Sequence, residues 1–219
     1  MSTKPPPAER RRIAEIFARL AAAVPEPRTE LRYRSPFTLL AAVVLSAQAT
    51  DKSVNAATAR LFEVADTPAG MIAIGEAGLI PFIASIGLFR TKARNLIALS
   101  RILETEHGGG VPLRREALEA LPGVGRKTAS VVLNELGAET AIAVDTHVFR
   151  VAHRLGLSLG KTPGQVEADL MRVTPKERRA RAHHWLILHG RYVCLARRPK
   201  CGGCTLADLC PSREFFVGA

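Results

Sequence analysis

The sequence predicts an all-α protein built of many short helices. Three observations predict it. Apolar residues recur at three- and four-residue spacing in one segment after another. Strand-like alternation is weak throughout. Near the middle of the first half stands a segment so uniformly apolar that it belongs at the centre of a helical core. The chain has 219 residues, 47% of them hydrophobic, which is ample for a core. Aromatic residues make up only 5%, so Ala, Leu, Val and Ile must fill most of it.

Residues 1–12 are Pro-rich and then basic, and read as a disordered tail leading into a helix. Ile13, Ile16, Phe17 and Leu20 form a helical stripe that Pro25 and Pro27 end. Ser35-Pro36 opens the apolar helix, over 36–48, which should be buried on all sides. The polar run Ser46 to Asp51 at its end is either a cap or a site. Thr50-Asp51 can cap the next helix, through about Val64. Thr67-Pro68 opens a short helix with Met71, Ile72 and Ile74. Leu79 to Ile86 follows, and Gly87-Leu88-Phe89 makes an exposed turn. Lys92 to Glu106 is a helix with Ala93, Leu96, Ile97, Leu99 and Ile102 inward, stopped by Gly108-Gly109-Gly110.

Leu113 to Ala120 reads as a short helix, Leu121-Pro-Gly-Val-Gly125 as a tight hairpin, and Arg126 onward as a second helix with Ala129, Val132 and Leu133 inward. The first N–H groups of that helix lack internal partners and point outward, so a phosphate can sit on them. Gly123, Gly125 and Arg126 are the residues placed to meet it. Lys127 stands in the first turn, where the helix dipole disfavours a cation by ~0.3–1 kcal/mol. It is either a solvated charge or an amine with a task. The two helices and their turn look like a helix-hairpin-helix, which grips DNA backbone without reading sequence.

Asp145 precedes the run Val148, Val151, Leu155 and reads as an N-cap. Gln165 to Val173 and Ala180 to His189 are further helices. The adjacent His183 and His184 read as surface or core partners rather than ligands. From Arg172 to Lys200 nine Lys or Arg face a single acid, Glu177, a one-signed bias that suits a polyanion. The whole chain carries a net charge of +11 and a pI of about 10.3. Nucleic acid is the better partner than membrane. The longest strongly apolar stretch, Phe37 to Ala47, is too short to span a bilayer. No secretory signal is visible.

All four cysteines fall between 194 and 210, spaced Cys-x6-Cys-x2-Cys-x5-Cys as Cys194, Cys201, Cys204 and Cys210. This looks like a metal site rather than a disulfide framework, and implies a reducing, intracellular location. Four thiolates can bind zinc or a four-iron cluster. A zinc ribbon has two close pairs and this run has one, so the spacing leans toward iron–sulfur. The loop between the first two cysteines carries Arg197, Arg198 and Lys200, which a folded cluster loop would hold against DNA.

Together these pieces resemble the endonuclease III family of base excision repair enzymes. The matching segments are Leu121-Pro-Gly-Val-Gly-Arg-Lys-Thr-Ala129, Val144-Asp-Thr-His-Val-Phe-Arg150, His183-His-Trp-Leu-Ile-Leu-His-Gly-Arg-Tyr192, Ser46-Ala-Gln-Ala-Thr-Asp51 and the cysteine spacing. The resemblance covers residues 12 to 213. It implies a helix-hairpin-helix DNA glycosylase fold in two all-α domains. Residues 29–139 would form a six-helix domain with the hairpin at about 113–136. Residues 1–28 would join 140–219 in a domain holding a [4Fe–4S] cluster, with DNA in the cleft between the two.

By position the resemblance makes Lys127 the nucleophile and Asp145 the catalytic carboxylate. It makes Gln48 and Leu88 the residues that fill or wedge the duplex where the lesion leaves it. The implied activity is removal of oxidised pyrimidines followed by β-elimination through a Lys Schiff base. The expected partner is double-stranded DNA with damaged bases or abasic sites, met by a monomer. Two alternatives differ in class. The adenine-specific mismatch branch has no Lys at the position of Lys127 and usually carries an extra C-terminal domain. A non-catalytic DNA-binding protein would hold DNA without cutting it.

Overall fold

The structure is a computed structural model and describes residues 6–216. The expectation of a disordered start falls partly on residues 1–5, which lie outside the described residues. Of the remainder, Arg10, Arg11 and Arg12 are helical rather than tail, because α1 (Pro7–Ala23) already starts at Pro7. No strand occurs among the described residues. The chain divides into two compact units. One is Thr29–Glu139, and the other joins the segment up to Arg28 to the segment from Thr140 onward.

The first unit is built around α2 (Pro36–Ser46), whose residues Phe37 to Leu45 are all buried. Its start is locally specified. The Ser35 hydroxyl accepts from the Thr38 N–H, and the Thr38 hydroxyl accepts from the Ser35 N–H, with Pro36 in the first turn. Helix α2 packs against α3 (Asp51–Leu61), α5 (Phe89–His107) and α7 (Arg126–Glu135). Truncating Leu39 or Leu40, each fully buried, would cost ~2–5 kcal/mol.

Helix α3 stops at Leu61, short of Val64, because the Val64 and Ala65 N–H groups both turn back to the Leu61 carbonyl. Helix α4 (Pro68–Ile83) is broken at Gly75, whose φ of 62° splits it into helical pieces 68–74 and 76–83. Helix α5 begins at Phe89, three residues ahead of the expected start, and so takes Lys92 into the core. The Gly109 N–H closes it by bonding the Leu103 carbonyl at 2.8 Å. The short α6 (Arg115–Glu119) then leads through the turn into α7.

The second unit packs α1, α8 (Thr146–Arg154), α9 (Pro163–Val173) and α10 (Arg179–Tyr192) around their own core of Phe17, Ile142, Val151, Leu170 and Leu186. The N-terminal helix is tied in by polar contacts. Arg12 Nη1 donates to the carbonyls of Leu155 at 3.0 Å and Leu209 at 2.7 Å. Trp185 Nε1 donates to the Val24 carbonyl at 2.8 Å. Helix α9 starts two residues early because Thr162 and Gln165 cap each other. Helix α10 outruns its expected end by three residues. His183 and His184 are buried, and His183 Nδ1 lies 2.8 Å from the Ala143 carbonyl oxygen. They serve the core.

Candidate functional site

The hairpin between α6 and α7 turns on Gly123, whose φ of 80° is closed to most side chains. A Cβ there would also meet Asn95 Nδ2 at 2.9 Å. Helices α2, α3, α4, α8 and α9 are preceded by a capping side chain, whereas α7 is preceded by Gly125, which offers none. Gly123, Gly125, Arg126 and Lys127 are all exposed. The result is an accessible helix start of ten residues, rich in N–H donors, beside two cations. Such a surface suits a phosphate backbone.

The same unit carries two strained turns. Gln48 sits at φ 55° just past the end of α2, and Leu88 at φ 59° as the residue before α5. The turns adjoin, since a Cβ on Gly87 would lie 3.9 Å from the Gln48 carbonyl oxygen. Both side chains are exposed, Leu88 by 62%. Left-handed backbone costs a non-glycine residue about 1–3 kcal/mol and gathers where function holds it in place. Among the described residues the third non-glycine in that region is Arg198, at φ 51° in the loop between the first two cysteines. Three positions singled out as DNA contacts are thus the three strained ones.

Asp145 belongs to the second unit. Its Oδ1 accepts the Val148 N–H at 2.8 Å, so it caps α8, and its side chain remains partly exposed. Arg150, in the middle of α8, donates from Nε to the Cys194 carbonyl at 3.0 Å and from Nη2 to the Gly190 carbonyl at 2.8 Å. Arg154, the last residue of α8, reaches the cysteine loop as well.

All four cysteines line one cavity and are partly buried. Burial pushes the Cys204 and Cys210 thiols up, and the neighbouring thiols add to it. Thiols crowded in this way ionise readily only when a metal takes the charge. The sulfurs already have donors. Arg154 Nη1 lies 3.4 Å from Cys194 Sγ, and the Leu206 N–H 3.4 Å from Cys204 Sγ. His189 Nε2 stands 3.8 Å from Cys204 Sγ, and burial drives its imidazole down to about 4. Among the described residues no three His, Cys, Asp or Glu side chains converge on one ion. Four sulfurs spread around a common cavity, with N–H donors on two of them, suit a cuboidal cluster in which each binds its own iron. Arg197, Arg198 and Lys200 are exposed on the loop between Cys194 and Cys201.

Sequence reasoning did not find Arg150, Arg154, His189 or Lys92. The two arginines stand four residues apart after Asp145, on one helix face, which was an available signal. Lys92 is 5% exposed, its Nζ has no hydrogen-bond partner, and burial lowers its pKa.

Residues 41–176 match the family described as HhH-GPD superfamily base excision DNA repair protein. Residues 194–210 match the iron-sulfur binding domain of endonuclease III. Endonuclease III of Treponema pallidum is 58% identical over 195 residues, covering 89% of this chain and 92% of its own. The Escherichia coli K12 protein of that name is 56% identical over 200 residues, covering 91% and 95%. A solved non-covalent endonuclease III–DNA complex matches with a TM-score of 0.90 at 43% identity, covering 100% of both chains. A trapped covalent endonuclease III–DNA intermediate matches at 0.89 and 44%, covering 99% and 100%. A thermostable thymine-DNA glycosylase shares the fold, with a TM-score of 0.82 at 22% identity.

Proposed function

The chain belongs to the endonuclease III family, and on that premise we propose that it removes oxidised pyrimidines from duplex DNA and cuts the strand with Lys127 and Asp145. The activity class is that of a base excision repair DNA glycosylase and AP lyase, and a [4Fe–4S] cluster is its cofactor. Support for the residue roles comes first from Lys127, an exposed amine in the first turn of an uncapped helix on the hairpin.

A base inside the duplex cannot be reached, so the nucleotide must leave the stack at a cost of a few kcal/mol, least for a damaged base. Gln48 and Leu88, exposed on two adjoining strained turns, are suited to fill the space it vacates. The neutral Lys127 amine attacks the sugar carbon, forming a C–N bond as the bond to the base breaks. The departing base takes the electron pair and a proton. The sugar ring opens to a Schiff base, and β-elimination then removes a C2′ proton, forms the C2′–C3′ double bond and expels the 3′ phosphate with the bonding electrons. Asp145 accepts a proton and stabilises the cationic sugar. Its cap bond uses one carboxylate oxygen and leaves the other for this role.

Cys194, Cys201, Cys204 and Cys210 hold the cluster. When bound it supplies cross-links that fold the loop carrying Arg197, Arg198 and Lys200. Those cations and the hairpin bind the DNA backbone. The protein acts as a monomer inside the cell, on DNA with damaged bases or abasic sites. No helix among the described residues is long and apolar enough to cross a membrane.

The test is incision of a duplex bearing a single thymine glycol. The wild type should release the base and cut the strand, and Lys127→Ala should bind the duplex without cutting it. Binding without base release or incision by the wild type, on thymine glycol and on an abasic site alike, would leave only a DNA-binding protein.

A further inference from the structure

Beside the cysteine cavity Arg154 carries an aromatic partner, Phe216, that neither the DNA contacts nor the proposed chemistry requires. The Arg154 guanidinium carbon lies 4.3 Å from the centroid of the Phe216 ring, and both residues line the cavity that holds the four cysteines. Both terminal nitrogens of the guanidinium are engaged. Nη1 donates to the Leu195 carbonyl at 2.7 Å and to Cys194 Sγ at 3.4 Å, and Nη2 donates to the Ala196 carbonyl at 3.0 Å. Leu195 and Ala196 are the first two residues after Cys194, in the loop that continues through Arg197 and Arg198 to Lys200.

One planar fork therefore fixes a cluster ligand and the start of the basic loop at once. A lysine ammonium, a point charge on a flexible stem, cannot satisfy these three acceptors in one plane. Phe216 covers the open face of the fork. It is partly buried, whereas the adjacent Phe215 is 78% exposed. Of two neighbouring phenyl rings, the chain places one over the guanidinium.

We propose that Arg154 is the positioning residue of the cysteine centre and that Phe216 closes that centre against water. The inference rests on the cluster assigned above. With Cys194 bound as a thiolate, the Arg154 N–H donates to a charged sulfur, which strengthens the contact and draws electron density from the ligand. The phenyl face keeps water from competing for the guanidinium. Together they slow the access of solvent and chelators to iron at Cys194.

The experiment follows the visible absorbance and the released iron of the purified holoprotein under a strong ferrous chelator. Wild type, Phe216→Ala, Phe216→Tyr and Arg154→Lys are compared, with circular dichroism reporting the fold. Phe216→Ala should purify with its iron and its DNA incision intact, and lose iron about tenfold faster than wild type. Phe216→Tyr, which keeps the aromatic face, should lose it at the wild-type rate. Arg154→Lys should lose it at least as fast as Phe216→Ala, and its cluster should have a lower reduction potential because one donor to sulfur is gone. A Phe216→Ala protein that is helical but already depleted of iron also supports the closure. Equal rates of loss in wild type and Phe216→Ala overturn it. A wild type that holds no iron overturns the cluster assignment and this inference together, whereas an iron-bearing wild type with an unaltered variant overturns only the inference.

Discussion

Asp145 caps α8 and, in the proposed mechanism, also serves catalysis, and two substitutions separate the cap from the proposed role. Its Oδ1 accepts the Val148 N–H at 2.8 Å and so satisfies one of the open donors at the start of α8. An asparagine oxygen makes the same bond, and Asn is as good an N-cap as Asp. Asp145→Asn should therefore lose only the attraction between the carboxylate and the helix dipole, about 0.3–1 kcal/mol. Asp145→Ala loses the cap bond as well, about 1 kcal/mol on its own. In a chain of this size 1 kcal/mol is roughly 2–4 °C in Tm.

The expected order of Tm is thus wild type, Asn just below it, and Ala lowest by several degrees. Catalysis should follow a different order. Both variants lack the carboxylate proposed to accept a proton and stabilise the cationic sugar, so both should release thymine glycol about 10²–10⁴-fold more slowly. Incision at a preformed abasic site should fall much less, because the base has already gone and the sugar aldehyde is open to the amine. Single-turnover base release and strand cutting, measured with the melting curves, give all three readings. An Asp145→Asn protein that releases the base within a few-fold of wild type would refute the reasoning, leaving Asp145 a cap and nothing more.

Further predictions concern the surroundings. Gly123→Ala puts a Cβ at φ 80° and 2.9 Å from Asn95 Nδ2, so it should cost at least about 1–2 kcal/mol of stability and weaken duplex binding by anisotropy; a variant unchanged in both would contradict the hairpin account. Neutralising Arg197 or Arg198 should weaken binding to any duplex and reduce the slope of log affinity against log salt by about one; an unchanged slope removes that loop from the interface. Lys92→Met removes a buried amine with no partner and should raise the Tm at neutral pH by an amount equivalent to ~1–3 kcal/mol. Because burial lowers the Lys92 pKa in the folded state, the unfolded chain binds the extra proton. The penalty is then full below the folded pKa and fades as pH rises toward the unfolded value, so the gain from Lys92→Met should shrink in alkaline buffer. Purified protein should be yellow-brown with about four irons per chain, and stoichiometric zinc without sulfide would contradict the cluster.

Much of the fold was legible because its boundaries are set locally. Ser35-Pro36, Thr50 and Thr67-Pro68 each place a side-chain oxygen at a helix start, and the uniform apolarity of α2 marks the centre of its unit; the same signal at Thr162-Pro163 was passed over in favour of Gln165. The cysteine spacing and the Pro-Gly-Val-Gly turn are equally local. Lys92 was harder to read. Its spacing from Leu96 and Leu99 fits the buried face of α5, but a charge at that position reads as a helix end. The left-handed backbone of Gln48 and Leu88 is invisible to propensity, which argues against such a conformation for both. The hold of Arg154 on Cys194 spans 40 residues, and no periodicity within a segment reports a contact between segments.

The most direct test of the central claim is to incubate the protein with a duplex containing one thymine glycol in the presence of borohydride, which reduces a Schiff base to a stable bond. The account predicts a covalent protein–DNA adduct with the attachment at Lys127, absent from a Lys127→Ala protein that still binds the duplex. An adduct of undiminished yield in Lys127→Ala, or base release by the wild type with no adduct, would contradict it.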